Sequence, residues 1–370
     1  MTETDVIPEA DRLEGFVHPR MIPQLAGHGS AEQRLLAAFH SDRLHHAWLF
    51  AGPEGVGKAT LAYRFARFLL AQGEDASGSV ESMALEPDHA VFSQVAALSH
   101  PDLLVLRRAW QPDRKRLATA VSVADVRRLT RFFGRTAGTA WRVVIIDRAD
   151  EMNTAAANAL LKNLEEPPPR CVFLMICSAP GRLPVTIRSR SQLLRFGPLD
   201  PNDLQTAVES AFNAAGLAAP DAEKVGAVLP LAQGSVRRAL QLLVGGGDEL
   251  YANLVRLLNA LPGVDQRAVH DLADKLTAPG KEASYELFFS LAEESLARIA
   301  THAATGEGAT QDEEAIAARL KGQPALAHWA SLWETVRRTK AEADVLNLDR
   351  KNLVLGTFFK LEETAREALQ

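Results

Sequence analysis

The chain has 370 residues, 47% of them apolar, which suggests two or three domains with sizeable cores and excludes global disorder. Its formal net charge of -5 excludes an overall attraction for nucleic acid, so any DNA contact needs a local basic patch. Two cysteines form no disulfide framework, Met1 to Arg12 lack a secretion pattern, and no apolar run approaches the roughly 18 residues of a membrane span; a soluble cytoplasmic protein with no membrane partner is expected.

Leu35 to Phe39 has helical spacing, with Leu35, Leu36 and Phe39 on one face. Ala47 to Ala51 is a short apolar run ending at Gly52, and Leu61 to Leu70 again has helical spacing. Strand, glycine loop and helix are the layout of a phosphate-binding unit. Gln72 to Ala96 reads as an irregular insertion containing Gly73 and Gly78. Leu103 to Leu106 predicts a strand. Ser122 to Asp125 fits a capping box that opens a helix, with an apolar stripe at Val126, Leu129 and Phe133. Val143 to Ile146 is a β-branched run ending at Asp147, which suits a strand buried on both faces. Asn158 to Glu166 predicts a helix stopped by Pro167, Pro168 and Pro169. Cys171 to Cys177 and Leu193 to Phe196 predict two more strands. Alternating strands and helices argue for an α/β fold with a parallel sheet. After Pro198 the patterns are helical, with Gly245, Gly246 and Gly247 as the best linker and stripes at Leu254, Leu257, Leu258, Leu287, Phe288 and Leu291. Three domains are expected: an α/β domain over 1–198, a small helical lid over 199–245 and a helical terminal domain over 246–370.

Gly52, Gly55, Gly57 and Lys58 match the glycine-rich phosphate loop. Its glycines let backbone N–H groups turn toward phosphate oxygens, and Lys58 would reach the β and γ phosphates. A working loop then carries Ser or Thr to hold Mg²⁺. Here Ala59 offers no oxygen, and Thr60 lies about 100° farther around the helix. Asp147 ends its strand where a Mg²⁺-linked aspartate is expected.

Asn158 to Pro168 resembles the signature helix of bacterial clamp-loader subunits, which belong to the AAA+ family. Leu183 to Ser191 resembles their Ser-Arg-Cys segment, with Ser191 in place of cysteine. Gly234 to Leu240 resembles the lid segment whose arginine senses nucleotide. His45 to Trp48 and His100 to Asp102 are further matches. The resemblance covers about residues 20 to 245, and several motifs in one order are more specific than any alone.

The resemblance implies an α/β AAA+ P-loop domain, a helical lid and an all-helical C-terminal collar. In the family a glutamate that activates water usually follows the strand-end aspartate; here the residue is Arg148, which cannot act as a base at neutral pH. Ala59 and Arg148 favour the delta-prime type, without catalysis of its own, over the ATP-hydrolysing gamma/tau type. ATP or ADP could be bound with little hydrolysis through Gly52, Gly55, Gly57, Lys58, Thr60, Asp147 and Arg237. Arg190 would act as an arginine finger in a neighbouring gamma/tau subunit's ATP site. Partners would be three gamma/tau subunits and a delta subunit in a five-subunit ring, the sliding clamp and, through the assembled complex, primed DNA; the whole would be part of a DNA polymerase holoenzyme. The four zinc-binding cysteines frequent in the family are missing, so no zinc is expected; Cys171 and Cys177, about 20 Å apart on one strand, read as core residues. The competing readings are an active ATPase, of gamma/tau type or another remodelling motor, and a protein that keeps nucleotide only as structural filler. Arg107, Arg108, Arg114, Lys115 and Arg116 around Trp110 read as a solvated loop. Arg127, Arg128, Arg131 and Arg135 are candidates to face DNA.

Overall fold

The structure, a computed structural model, describes residues 8–41, 43–72, 82–136, 138, 140–320, 323–346 and 348–368. The chain packs as two compact units: Met1–Pro220 with Gln233–Arg238, and Asp221–Ala232 with Ala239–Gln370.

The first unit carries the strands β1 (Ala47–Ala51), β2 (Leu103–Leu106), β3 (Trp110–Gln111), β4 (Arg116–Leu117), β5 (Arg142–Ile146), β6 (Cys171–Cys177) and β7 (Gln192–Arg195). Five form one parallel sheet in the order β2-β5-β6-β1-β7. The helices are α1 (Gly29–His40), α2 (Lys58–Ala71), α3 (Ala90–Ala96), α4 (Val123–Phe133), α5 (Thr154–Glu165), α6 (Val185–Ser189) and α7 (Pro201–Ala214). The continuous apolar runs of β5 and β6 follow from burial on both faces. Val143, Ile145, Val172, Leu174 and Ile176 pack with Leu61, Phe65 and Leu69 of α2. Val144, Ile146, Phe173 and Met175 pack with Val126 and Leu129 of α4 and Leu160 and Leu164 of α5. Each fully buried side chain of this size contributes about 1.5–3 kcal/mol.

The expected capping box forms: Ser122 and Asp125 bond reciprocally at the start of α4. The α4 stripe is shifted by one, with Phe132 buried beside Val126 and Leu129 while Phe133 is partly exposed. The solvated loop around Trp110 is instead partly a β3–β4 hairpin, turned by Lys115 in left-handed geometry. Of the expected insertion, α3 is formed, and residues 73–81, with Gly73 and Gly78, lie outside the described residues.

An N-terminal strap from Glu9 to Pro23 crosses α2, and two arginines of α2 hold it. Arg67, 1% exposed, donates to the carbonyls of Arg20 (2.7 Å) and Ile22 (2.9 Å) and stacks on Phe92. Arg64 donates to the Pro23 carbonyl (2.7 Å) and pairs with Glu32. These carbonyls have no strand partner, so the guanidinium groups supply bonds that an irregular segment otherwise lacks.

The second unit is helical: α8 (Ala222–Ala232), α9 (Val236–Gly245) from Ala239 onward, α10 (Gly247–Asn259), α11 (Gln266–Thr277), α12 (Glu282–Thr305), α13 (Gln311–Ala317), α14 (Gln323–Leu346) and α15 (Arg350–Ala368). The expected stripes are buried at Leu254, Leu257, Leu258, Leu287, Phe288 and Leu291. The triple-glycine linker shrinks to one residue. Gly245 ends α9, Gly247 begins α10, and Gly246 between them is left-handed. Inside this unit Arg298 forks onto Glu313 (2.6 and 2.9 Å), a fully buried carboxylate that also caps α13.

Candidate functional site

The loop from Gly52 to Lys58 leaves the C-terminal end of β1, at the rim where open parallel sheets place ligands. Lys58 is 4% exposed. Its ammonium donates to the Gly52 carbonyl (2.6 Å), the Pro53 carbonyl and the Ser178 hydroxyl (3.2 Å). Burial lowers its pKa from 10.5 to about 8, against the raising influence of Glu54 and Asp150. Ser178, just past β6, was not singled out from sequence, and only the sheet order brings it to Lys58. Asp150 fixes that strand end by accepting from the Ser178 and Ala179 amides at 3.3 and 3.1 Å.

The glycines of the loop answer to protein packing. A Cβ on Gly52 would overlap the Phe196 carbonyl, and one on Gly55 would lie 2.6 Å from the Arg237 Cβ. A Cβ on Gly57 would make ordinary contacts with His28 and Leu25, both at 3.7 Å, but its φ is +105°. The segment Ser235–Arg237 sits on the loop. The Ser235 hydroxyl donates to the Glu54 carbonyl (2.8 Å), and the Val236 amide donates to the Gly55 carbonyl (2.9 Å). Arg237 stands 3.5 Å from the Glu54 carboxylate, and Arg148 reaches the same oxygen at 3.1 Å.

Asp147 is 4% exposed and lies against Asp11 of the strap. Burial and the neighbouring Asp11 push the Asp147 carboxyl well above the carboxylate range. Two neighbouring buried carboxylates cannot both ionise readily, which favours the neutral form of Asp147. Burial alone would raise Asp11 too, but His18 at 2.6 Å and Arg107 hold it well below its usual value. Arg107 bonds Asp11 at 2.9 Å and also Glu9, which Arg20 holds at 3.0 Å. Arg108 pairs with Glu151 at 2.6 Å. Arg107 and Arg108 therefore point inward and leave the solvated cluster; Arg114, Lys115 and Arg116 remain exposed.

A metal ion does not fit this arrangement. Ala59 brings no oxygen, Asp147 is committed to Asp11, and Arg148 adds positive charge. Thr60 is half-buried one residue farther along α2. Among the described residues no group of three or more His, Cys, Asp or Glu side chains is arranged to hold a metal. The phosphate-loop shape is kept, with the Lys58 ammonium bonded to the Gly52 and Pro53 carbonyls and the Ser178 hydroxyl. Arg190 lies away from the loop at the end of α6, half-exposed, bonded to Glu165 at 2.8 Å and to the Thr186 carbonyl at 3.0 Å. Cys171 and Cys177 are buried free thiols, and burial raises both to about 12. No described helix is long and apolar enough to cross a membrane.

A five-stranded parallel sheet with a glycine-rich loop after β1, an aspartate ending β5 and helices after the sheet make up an α/β fold of P-loop type. The model of the family described as DNA polymerase III, delta subunit, matches residues 27–200. The chain is 41% identical over 147 residues to the delta' subunit of Pseudomonas aeruginosa DNA polymerase III, covering 39% of this chain and 41% of that one. It is 31% identical over 273 residues to the gamma/tau subunit of Mycobacterium tuberculosis, covering 70% of this chain and 43% of the relative. A crystal structure of a gamma subunit-related protein from Thermotoga maritima aligns over 90% of this chain and 100% of its own, at 18% identity and a TM-score of 0.37. The chain spans less than half the length of these curated relatives. The matched part of the chain is similar to subunits of the DNA polymerase III clamp loader.

Proposed function

We propose that this protein is a delta-prime-type clamp-loader subunit that turns over little or no ATP and completes the ATP site of a gamma/tau neighbour. With gamma/tau and delta subunits it would open the sliding clamp and place it on primed DNA. Residues 1–198 would form the nucleotide-binding domain, 199–245 the lid and 246–370 the collar. The observation that carries the reading is Arg148. It occupies the position of the water-activating glutamate, and its guanidinium is bonded to Glu54 and Glu151. A guanidinium cannot take a proton from water at neutral pH.

Two further features support the reading. Ala59 and the Asp11–Asp147 pair leave no ready metal site, so this chain's own loop has no route to hydrolysis. ATP or ADP at Gly52, Gly55, Gly57 and Lys58, with Arg237 beside them, would be structural filler, and its phosphates would have to replace the protein acceptors of Lys58. Arg190 ends an exposed turn, where its charge can stabilise the γ-phosphate of an adjacent subunit in the transition state. The exposed arginines of α4 would meet phosphates of the primed DNA.

The test is ATP hydrolysis by the purified subunit alone and by a reconstituted loader carrying Arg190→Ala. The lone subunit is expected to be silent. The mutant ring is expected to assemble and lose at least about a third of its rate, since one of three gamma/tau sites loses its finger. Brisk turnover by the lone subunit, or a mutant ring of normal rate, overturns the reading.

A further inference from the structure

Glu165 is the last residue of α5, at the negative end of the helix dipole and next to Glu166. A carboxylate there is unfavourable for the helix. Its partner is Arg190, whose Nη2 lies 2.8 Å from the Glu165 Oε1. The other terminal nitrogen of Arg190 donates to the Thr186 carbonyl at 3.0 Å, one turn back across α6. Both ends of the guanidinium fork are therefore bonded to groups of its own chain, and neither is free for a phosphate.

Resting on the proposed finger role of Arg190, we infer that Glu165 is a positioning residue that parks the Arg190 guanidinium on its own subunit until a neighbour's phosphate displaces it. The physics of the pair suits this task. Both side chains are between a third and a half exposed, so water and salt screen the attraction. A γ-phosphate carries more negative charge than one carboxylate and offers two acceptor oxygens to the same fork. It therefore outcompetes Glu165 once the neighbouring subunit is close, while an empty or misaligned neighbour does not. The tether keeps a mobile, doubly bonding side chain in one place, and it suppresses engagement before the ring has closed.

The tether is weak enough that its loss changes engagement by up to about fivefold at the one site that Arg190 serves. In a ring of three such sites this reads as about a twofold rise in the basal rate. The experiment compares reconstituted loaders carrying wild type, Glu165→Gln, Arg190→Ala and the double substitution, without and with clamp and primed DNA. Glu165→Gln is expected to raise the basal rate about twofold and remove its dependence on salt, with the clamp- and DNA-saturated rate unchanged. The double variant is expected to match Arg190→Ala, which a merely structural role of Glu165 would not produce. Equal thermal midpoints of wild type and Glu165→Gln control for folding. If Arg190→Ala lowers the rate while Glu165→Gln leaves the basal rate unchanged or lowers it, the tether is refuted and the finger stands. If Arg190→Ala leaves the rate unchanged, the finger reading fails and the tether with it.

Discussion

Arg148 spans the mouth of the loop, 3.1 Å from Glu54 on one side and 2.7 Å from Glu151 on the other. With Arg108 on Glu151 and Arg237 near Glu54, charges alternate along Arg108, Glu151, Arg148, Glu54 and Arg237. Arg148→Glu would put a third carboxylate between two others. A loss of about 1–2 kcal/mol is expected, read as a lower urea midpoint. No ATP turnover should appear, because Ala59 still offers no metal ligand. Turnover in that single variant would mean that position 148 alone silences the site.

The Asp11–Asp147 pair predicts unequal costs for two similar substitutions. Asp147→Asn keeps a donor facing Asp11 and should cost under about 1 kcal/mol. Asp11→Asn removes the charge that His18 and Arg107 are built around and should cost about 3–5 kcal/mol. Chemical denaturation measures both, and equal costs would contradict a neutral Asp147.

Lys58 gives a pH dependence. Its folded pKa of about 8 lies below the unfolded 10.5, so between those values the unfolded chain binds more protons. The contribution of this group to stability therefore rises with pH across that window and is at its least favourable below it. The span corresponds to about 3 kcal/mol. Wild type should gain thermal stability relative to Lys58→Met as the buffer goes from about pH 7 to about pH 9.5. A constant difference would show that Lys58 is not held in this environment.

Two glycines should respond in opposite directions. Gly55 has a φ of +79° and carries Ser235 and Arg237 against it, so Gly55→Ala should cost about 2 kcal/mol. Gly29, in α1, has open space and an ordinary φ, so Gly29→Ala should be neutral or stabilise by up to about 1 kcal/mol. Urea midpoints of the two variants decide the matter; a Gly55→Ala protein as stable as wild type would mean that Ser235–Arg237 does not sit on the loop.

The arginine face of α4 can be checked in the assembled loader. Arg127→Ala with Arg131→Ala should weaken stimulation of ATP hydrolysis by primed DNA and flatten its salt dependence by about two phosphate contacts. Unchanged stimulation and salt slope would remove DNA contact from this helix.

The sheet was largely legible in the sequence, because β2 and β6 are unbroken apolar runs with both faces buried, and the predicted limits Leu103–Leu106 and Cys171–Cys177 are those observed. The phosphate-loop residues were legible for a similar reason: their chemistry is contiguous. What escaped depends on separations that no local pattern records. Arg107 meets Asp11 across 96 positions, so its basic neighbourhood in sequence suggested solvent while its true partners lay in the strap. Ser178 reaches Lys58 across 120 positions through the pairing of β1 with β6. The β3–β4 hairpin turns on Lys115, a residue that gives no glycine signal for left-handed backbone. At α4 two adjacent phenylalanines compete for one face, and periodicity alone did not choose Phe132.

A buried acid that keeps its proton has a vibrational signature distinct from that of the many ionised carboxylates around it. The neighbourhood of Asp11 would therefore give Asp147 the role of an infrared reporter: an isotope-sensitive acid carbonyl band, expected while the strap is docked on the end of β5 and expected to vanish when it lifts. Assembly, nucleotide or DNA could each be asked, without any label, whether they disturb that clasp.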